Sequence, residues 1–369
     1  MRFVFNHFLN ERIEQYKENK KSDNYQKQAG ALTQLKKKEA TEWLKEVNSQ
    51  TLQTALRNLD TAFVNFFRGN AKFPRFKSKH KKNSFTVPQF VEVSNGKLFF
   101  PKFKDGIKII EHRELKGEVK HCTVSKTPTG KYFVSILCEV RHQPLKPTKK
   151  QVGIDLGIKD FAVTSDGIRF TNNCHLKRYE SQLAKAQKHL SRKVKGSSSR
   201  NRQRLKVAAI HEKVANTRLD LLHKVSTQII NAYDIICLED LNVKGMMANH
   251  KLAKHIADAS WGSFVKLLEY KASWNEKRII KINRFYPSSK TCNECGYIHQ
   301  NLHLSERQWT CPNGHILDRD FNASKNILEE GIRIIGAELS DYTGRALNKT
   351  SEKEHRALKS EAHWSLANG

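Results

Sequence analysis

Long apolar runs and a secretory signal are both missing from this sequence. A membrane-spanning helix needs about 20 consecutive apolar residues, and no stretch of the 369 residues approaches that length. The opening residues 1–6 have no signal-peptide pattern. We therefore expect a cytoplasmic protein without a membrane partner. No repeat of the solenoid kind is present either.

A disulfide framework is also missing. The chain has seven cysteines, an odd number, and their spacing is not that of a small secreted domain. Three of them are clustered and are considered below. The other four are isolated and are expected to be small buried hydrophobic side chains: Cys122, Cys138, Cys174 and Cys237.

Acidic residues are scarce relative to basic ones. The chain has 37 Asp and Glu against 66 Lys and Arg, a formal net charge of +29. Such a charge favours a polyanionic partner, DNA or RNA, because each neutralised phosphate releases condensed counterions. The alternatives are a ribosomal-type or merely soluble basic protein and, more weakly, a protein that binds an anionic membrane surface.

Four regions follow from composition and periodicity. Residues 1–83 are predicted to be helical and to end in a basic loop. Residues 84–148 contain short alternating segments separated by glycine turns, which predicts a small β-barrel or similar β unit. Residues 149–336 alternate apolar strands with helices, which predicts an α/β domain. Residues 337–369 are polar without a clear period and are expected to be a poorly ordered tail.

Two segments combine basic residues in a way that suits nucleic acid. In the loop, basic residues alternate with Phe73, Pro74 and Phe76, a pattern that suits phosphate contacts together with base stacking. The first long helix of the α/β domain is also strongly basic. The aromatics could equally anchor the loop, and the helix could be a solvated face. The candidate contacts are Lys72, Arg75, Lys77, Lys79, Lys185, Lys188, Arg192 and Lys193.

Three acids lie at the ends of apolar elements. Asp155 follows Val152-Gly153-Ile154, and Glu239 follows Ile235-Ile236-Cys237-Leu238. A carboxylate in such surroundings needs a cation as partner. Asp320 precedes a predicted helix, where it or Asp318 could instead be an N-cap. In a basic protein, three such acids point to Mg²⁺ (or Mn²⁺) and phosphodiester hydrolysis, because carboxylates hold hard cations.

Four motifs resemble the TnpB (OrfB) family of transposon-encoded proteins, which are relatives of the type V CRISPR effectors. They are Gly153-Ile154-Asp155-Leu156-Gly157, Leu238-Glu239-Asp240-Leu241, Tyr286-Pro287-Ser288-Ser289-Lys290-Thr291-Cys292 and Asp318-Arg319-Asp320-Phe321-Asn322. The resemblance implies a ribonuclease-H-like (RuvC-like) nuclease domain with inserted helices and a zinc knuckle. It also implies a metal-dependent DNA endonuclease that is guided by an RNA from the transposon end. Asp155, Glu239 and Asp320 match the family's catalytic positions.

The clustered cysteines predict a structural zinc site within about 286–317. Cys292-x-x-Cys295 and a later Cys311 have the spacing of zinc ligands. Gly314 stands where the family has a fourth cysteine, so His315 is the expected fourth ligand. His299 and His303 are weaker candidates, and a knuckle that has lost zinc is the alternative. A closed zinc site here would brace the segment that presents Asp320.

The resemblance begins inside the family's first helix, so an opening β-strand is expected before the segment that matches residues 2–6. A copy without that strand would suit a second function, RNA-guided DNA binding without cleavage. A transposase that also joins strands is a third, because the same fold class supports strand transfer. DNA and a guide RNA are the expected partners, and the sequence leaves the oligomeric state open.

Overall fold

The computed structural model describes residues 1–79, 83–172, 174–303, 305–345 and 358–366, without the side chains of Lys251 and of 338–345 and 358–366. The chain divides into two compact units, Met1–Arg141 with Arg356–Gly369, and His142–His355. The division lies slightly before the boundary near 148 that the sequence predicts. No helix among these residues is long and apolar enough to cross a membrane.

The first unit opens with helices, as predicted. They are α1 (Arg2–Asn19), α2 (Tyr25–Leu35), a 3-10 helix (Glu39–Glu46) and α3 (Ser49–Phe67). Asn24 and Asn48 cap α2 and α3 by accepting hydrogen bonds from backbone amides in the first turn. The apolar stripe of α3 is buried against α1, because residues three and four apart lie on one helix face.

An antiparallel sheet follows in the same unit. Its strands are β1 (Asn83–Val87), β2 (Glu92–Ser94), β3 (Lys97–Phe100), β4 (Phe103–Ile110), β5 (Glu118–Lys126) and β6 (Tyr132–Val140). Thr51 of α3 donates a hydrogen bond to the Thr86 carbonyl at 3.2 Å, which ties the helices to β1. The predicted 1–83 region and the strands up to Val140 therefore form one unit.

The second unit contains a mixed sheet with helices on both faces. Its elements are β7 (Gln151–Asp155), β8 (Asp160–Thr164), β9 (Arg169–Thr171), α4 (His175–Ser191), α5 (Ser198–Ala232), β10 (Ile235–Glu239), α6 (Val243–Met246), α7 (His250–Ala259), α8 (Trp261–Trp274), β11 (Arg278–Ile282), β12 (Gln308–Thr310), β13 (Ile316–Asp318) and α9 (Arg319–Arg345). The sheet order is β11-β10-β7-β8-β9. β7, β10 and β11 are parallel, whereas β8 and β9 complete an antiparallel hairpin.

Strand alternation explains the two helical layers. Ile236 and Leu238 belong to the core formed with α5 and α8, whereas Cys237 between them belongs to the core on the α9 side. α9 crosses β7 at Gly153, where a Cβ atom would lie 2.1 Å from the Ser324 carbonyl oxygen. Only glycine permits this approach, and the approach sets the position of the N-terminal turn of α9.

The C-terminal region differs from the expected tail. α9 continues to Arg345, since no proline after Pro312 interrupts its helical pattern. The strand β14 (Leu358–Leu366) alternates apolar and polar residues and pairs with β6 and β4. The prediction of a poorly ordered tail is therefore wrong for these two stretches; residues 346–357 and 367–369 lie outside the described part of the chain.

With β14, the first sheet has the order β1-β5-β6-β14-β4-β3-β2. Within the described residues no ladder joins β1 to β2, so this sheet is open and the small barrel that the sequence predicts is not formed there. The short strands β2 and β3 instead pair locally through the Asn95-Gly96 turn.

Candidate catalytic and metal-binding sites

Asp155 and Glu239 are brought together by strand register. They are the last residues of β7 and β10, two parallel neighbours in which Ile154 pairs with Leu238. The carboxyl ends of parallel strands meet at one edge of the sheet, so the two side chains stand next to each other. Asp320 lies in the first turn of α9, which packs on both strands.

The pKa values reflect this convergence. Burial, followed by the charges of Glu239 and then Asp320, raises the pKa of Asp155 to about 8, against opposing effects of Arg319 and Arg307. Burial also raises the pKa of Glu239, and a hydrogen bond from Ser288 opposes that rise. A buried Asp155 carboxyl beside two further carboxylates forms a site that a hard divalent cation would stabilise.

Two acids of the cluster, Glu239 and Asp320, have a defined hydrogen-bonding neighbour. Ser288, which is buried, donates a hydrogen bond of 2.5 Å to Glu239 Oε1. Arg307 Nη1 lies 3.3 Å from both carboxylate oxygens of Asp320. Neither neighbour was among the candidate residues from the sequence. Ser288 lies within one of the motifs that resemble the family, and that motif could have marked it as a candidate. No motif in the sequence marks Arg307.

Asp318 has a separate structural position. Its Oδ1 accepts the backbone N–H of Phe321 at 2.9 Å and lies 2.8 Å from Arg169 Nη2. These contacts and the hydrogen-bonded start of α9 hold the pKa of Asp318 below its usual value, although burial acts in the opposite direction. Asp318 is therefore the residue that caps α9, and Asp320 is the one that faces Asp155.

The Cys/His cluster comprises Cys292, Cys295, Cys311 and His315, whose ligand atoms all lie within 4.8 Å of one another. Cys295 Sγ is 3.7 Å from Cys311 Sγ, and His315 Nδ1 is 3.6 Å from Cys292 Sγ and 3.2 Å from Cys311 Sγ. The sulfur–sulfur distance is far too long for a disulfide. It is close to the roughly 3.8 Å between two thiolates on one tetrahedral zinc ion.

The three candidate histidines differ in position. His315 is a member of the cluster, whereas the ring of His299 packs edge-on against Trp309 at 5.5 Å. His303 is likewise outside the group. The four side chains fit a tetrahedral metal in number, chemistry and spacing.

The Cys/His cluster leads directly into α9. Cys311 and His315 close the turn between β12 and β13, with the Cys311 N–H bonded to the His315 carbonyl at 3.0 Å. β13 ends at Asp318, and α9 starts at the next residue. The cluster is therefore built into the segment that carries Asp320.

Two buried asparagines join α9 to the loop that precedes Cys292. Asn322 donates to the Thr291 carbonyl at 2.6 Å and accepts from the Asn293 N–H at 2.9 Å. Asn326 donates to the Ser288 carbonyl at 2.7 Å. Because the Ser288 hydroxyl bonds Glu239, this network physically links the Cys/His cluster, α9 and the carboxylate cluster.

The predicted basic contacts all lie on the surface. In the first unit, Lys77 is held by a pair of hydrogen bonds between its backbone and the Asn6 side chain, at 2.7 and 3.0 Å. In the second unit, α4 buries Leu183 and Ala186 and turns its basic face outward. The exposed residues are Lys72, Arg75, Lys77, Lys79, Lys185, Lys188, Arg192 and Lys193.

Comparisons with known proteins agree along most of the chain. A family model described as "Probable transposase" (OrfB of IS605) matches residues 135–250, and models described as "Cas12f1-like, TNB domain" and "Helix-turn-helix domain" match residues 261–327 and 1–21. The chain is 40% identical to a protein of Streptomyces pristinaespiralis named "Putative RNA-guided DNA endonuclease", over 90% of this chain and 84% of that one. It is 33% identical to InsQ of Escherichia coli K12, which has the same description, over 94% and 90% of the two chains.

A solved structure shares the fold. It is a cryo-EM structure of a complex of Cas12f1 with sgRNA and target DNA; it aligns with a TM-score of 0.52 and 14% identity, over 88% of this chain and 79% of that one. The fold and the two clusters thus define a mixed α/β protein of the Cas12f1-like architecture. The extent and identity of the curated relatives place the chain in the TnpB (OrfB) family.

Proposed function

We propose that this protein is a transposon-associated, RNA-guided DNA endonuclease with a RuvC-like, Mg²⁺-dependent site. The observation that carries the proposal is the convergence of Asp155, Glu239 and Asp320 at one edge of the second sheet. The strand order β9-β8-β7-β10-β11, with the hairpin on one side of β7, supports a ribonuclease-H-like nuclease domain.

The three carboxylates would hold Mg²⁺ or Mn²⁺. When bound, such ions activate a water molecule and stabilise charge on the attacking and leaving oxygens of the phosphodiester. The protein's part is to hold the ligands rigidly. Strand register fixes Asp155 beside Glu239, Ser288 orients the Glu239 carboxylate, and Asp318 with Arg169 fixes the first turn of α9 and hence Asp320.

Zn²⁺ is the ion we propose for Cys292, Cys295, Cys311 and His315. Three thiolates and one imidazole close the coordination sphere and leave no position for substrate, which is the arrangement of a structural rather than a catalytic zinc. Its role would be to hold the β12–β13 turn and so the N-terminus of α9.

A guide RNA from the transposon end and a DNA target are the proposed partners. The names of the curated relatives and the sgRNA and target DNA of the solved Cas12f1 complex support this assignment. In guided systems base pairing reads the sequence, while the protein contacts the backbone. The net charge of +29 and the exposed cations of the 72–79 segment and of α4 suit that division.

The test is guided cleavage. Protein produced together with the RNA encoded beside its reading frame should cut a matching DNA target in Mg²⁺ or Mn²⁺ and not in EDTA. Asp155→Ala should abolish cutting and retain target binding. The matched control is Asp220→Ala, which removes an exposed aspartate of α5 that pairs with Lys224 four residues on.

Two other outcomes would redirect the assignment. Tight target binding by the wild-type protein without scission in either metal would favour a guided binding protein. Covalent joining of the cut end to a second DNA would favour a strand-transferring transposase.

A further inference from the structure

Phe285 presents its ring to solvent beside the carboxylate cluster. Its relative exposure is 87%, above that of every other large hydrophobic residue in the described part of the chain. A phenylalanine in water forgoes the free energy that burial of its ring would supply. An aromatic ring left in this position therefore suggests a ligand that covers it.

The turn that carries Phe285 is fixed on both sides. Arg284 is ion-paired and hydrogen-bonded with Asp240, the residue after Glu239. The Phe285 N–H donates to Asn283 Oδ1 at 2.9 Å, and the Tyr286 N–H donates to the Asn283 carbonyl at 3.0 Å. The ring is thus presented by a hydrogen-bonded turn, which lowers the entropy that a ligand must remove on binding.

The same turn lies against the strand that ends in Glu239. Ile282 pairs in register with Glu239, and its carbonyl accepts the Asp240 N–H at 3.2 Å. On the other side of Phe285, Ser288 bonds the Glu239 carboxylate. Phe285 therefore lies on a short chain segment whose two ends both contact the Glu239 region, and it must lie near the carboxylate cluster.

Two adjoining cavities connect the ring to Glu239. One, of about 480 Å³, is lined by Phe285, Asn283, Ile282 and three charged residues. The other, of about 380 Å³, includes Glu239. They share the three charged residues, which are Asp240, Lys281 and Arg284.

The cavity that includes Glu239 is lined by four cations and three acids, the acids being Glu239, Asp240 and Glu269. Lys281 is paired with Glu269 and Arg284 with Asp240, whereas Lys244 and Lys266 have no acidic partner within 4 Å among the described residues. Two lysines without an acidic partner, in a cavity that adjoins the one lined by Phe285, suit a ligand with a phosphate backbone and a flat apolar face. A single-stranded nucleic acid has both, whereas a duplex hides the faces of its bases.

We propose that Phe285 is a stacking platform for a nucleobase of single-stranded DNA next to the phosphate held at the carboxylate cluster. The proposal rests on the proposed nuclease function and adds a base-binding subsite to it. Stacking tolerates any base, because every base has a π face. This suits a cutting site whose sequence is chosen elsewhere, by base pairing with the guide.

Fluorescence of 2-aminopurine tests the contact without cleavage. The complex of guide RNA and Asp155→Ala protein is bound to targets that carry 2-aminopurine at successive positions of the strand around the cut site. We expect quenching at one or two adjacent positions. It should be lost in Phe285→Ala and Phe285→Leu and kept in Phe285→Tyr, which preserves a flat ring.

Cleavage kinetics give a second, independent measurement. Phe285→Ala in the otherwise wild-type protein should raise KM for the target about 5- to 100-fold, the range expected for loss of one stacked base, with a smaller change in kcat. An abasic site at the quenched position should cost the wild-type protein a similar factor and should cost Phe285→Ala almost nothing. Phe90→Ala, which removes a 74% exposed ring from the other unit, is the matched control.

The proposal is overturned if 2-aminopurine is quenched at no position, or if quenching survives in Phe285→Ala. It is also overturned if, at every position, the increase in KM caused by an abasic site is as large in Phe285→Ala as in the wild-type protein. Phe285→Ala should keep the melting temperature of the wild-type protein, because an exposed ring contributes little to the free energy of unfolding. Failure of the nuclease function is separable: it would appear as an uncut target with the wild-type protein, while the quenching experiment needs no cutting.

Discussion

The two clusters of the second unit are neighbours that are assembled in different ways. The Cys/His cluster takes all its members from residues 292–315, within one loop and one hairpin. The carboxylate cluster takes Asp155, Glu239 and Asp320 from two strands and a helix that are far apart along the chain. One depends on local turn geometry, and the other depends on the whole sheet and on the packing of α9.

This difference implies a one-way dependence. Asn322 and Asn326 connect α9 to the loop before Cys292, and Ser288 connects that loop to Glu239. Disorder of the Cys/His cluster should therefore spread to the carboxylates. Loss of a carboxylate should leave the Cys/His cluster intact, because none of its members depends on those acids for position.

The largest expected effect is that of Asp320→Asn. We expect cleavage to fall by at least about 10²-fold, the scale of losing one electrostatic contact to a transition state, with unchanged zinc content and melting temperature. Asp318→Asn is the matched control. Asn also caps helices well, so this variant should lose only the charge pairing with Arg169 and keep cleavage within about tenfold. Equal losses in the two variants would contradict the assignment of Asp320.

Removal of the proposed zinc ion comes next. Cys311→Ser and His315→Ala should each lower bound zinc, expose residues 286–318 to protease and reduce cleavage about 10- to 100-fold, as is usual for groups behind a metal site. His303→Ala should resemble the wild type. If the zinc-free variants cut normally, the two clusters are independent and the one-way dependence is wrong.

The same difference explains what sequence could predict. The spacing of the three cysteines indicates the Cys/His cluster, and the family resemblance, with Gly314 in place of a cysteine, adds His315; the structure places His315, and not His299 or His303, beside the three thiols. Asp155 and Glu239 were singled out as strand-end acids and Asp320 through the family resemblance, but the meeting of Asp155 with Glu239 requires the pairing of β7 with β10, which the local sequence pattern does not contain. Arg307 could not be predicted from the sequence. Its contact with Asp320 depends on a long-range hydrogen bond between the Arg319 N–H and the Arg307 carbonyl, which brings the two segments together.

The predicted barrel and tail were wrong for a related reason. The short strands in residues 84–148 predict an antiparallel sheet. They do not predict whether the sheet closes into a barrel, since closure depends on strand partners that are distant in sequence. One such partner, β14, comes from residues 358–366 and lies between β6 and β4. The alternation of apolar and polar residues in β14 indicates a strand, but the polar composition of residues 337–369 led to the prediction of a poorly ordered tail.

Gly153→Ala tests whether packing of α9 on β7 sets the carboxylate cluster. A Cβ atom there would lie 2.1 Å from the Ser324 carbonyl oxygen and 2.5 Å from the Leu328 nitrogen, both backbone atoms that cannot rotate away. Overpacking of this kind costs about 1–3 kcal/mol of unfolding free energy. Gly262→Ala in α8, where nothing lies within 4 Å, should leave stability equal or slightly higher. Thermal melts of the two variants compare them directly.

Asp155 should also make the metal-free protein sensitive to pH. Its folded-state pKa of about 8 exceeds the ordinary value of 3.8, so the folded state keeps a proton that the unfolded state loses. Stability in EDTA should therefore fall as pH rises from about 4 to 8, by at most about 1.4 kcal/mol per pH unit. Asp155→Asn should flatten this slope in melts across that range; a slope that persists would assign it to other groups.

Ser288→Ala is the mildest test of the connection between the clusters. The variant keeps the Ser288 carbonyl that accepts from Asn326 and removes only the hydroxyl that orients Glu239. A hydrogen bond to a charged group of this kind contributes about 1.5 kcal/mol, so the Mg²⁺ concentration at half-maximal cleavage should rise roughly 10-fold. Ser288→Thr should restore most of it, and Ser289→Ala should change little. Zinc content should stay constant in all three variants. A shift in the Mg²⁺ midpoint confined to Ser288→Ala would show that the Ser288 hydroxyl connects the loop to Glu239. A parallel loss of zinc would instead show that the loop as a whole makes the connection between the two clusters.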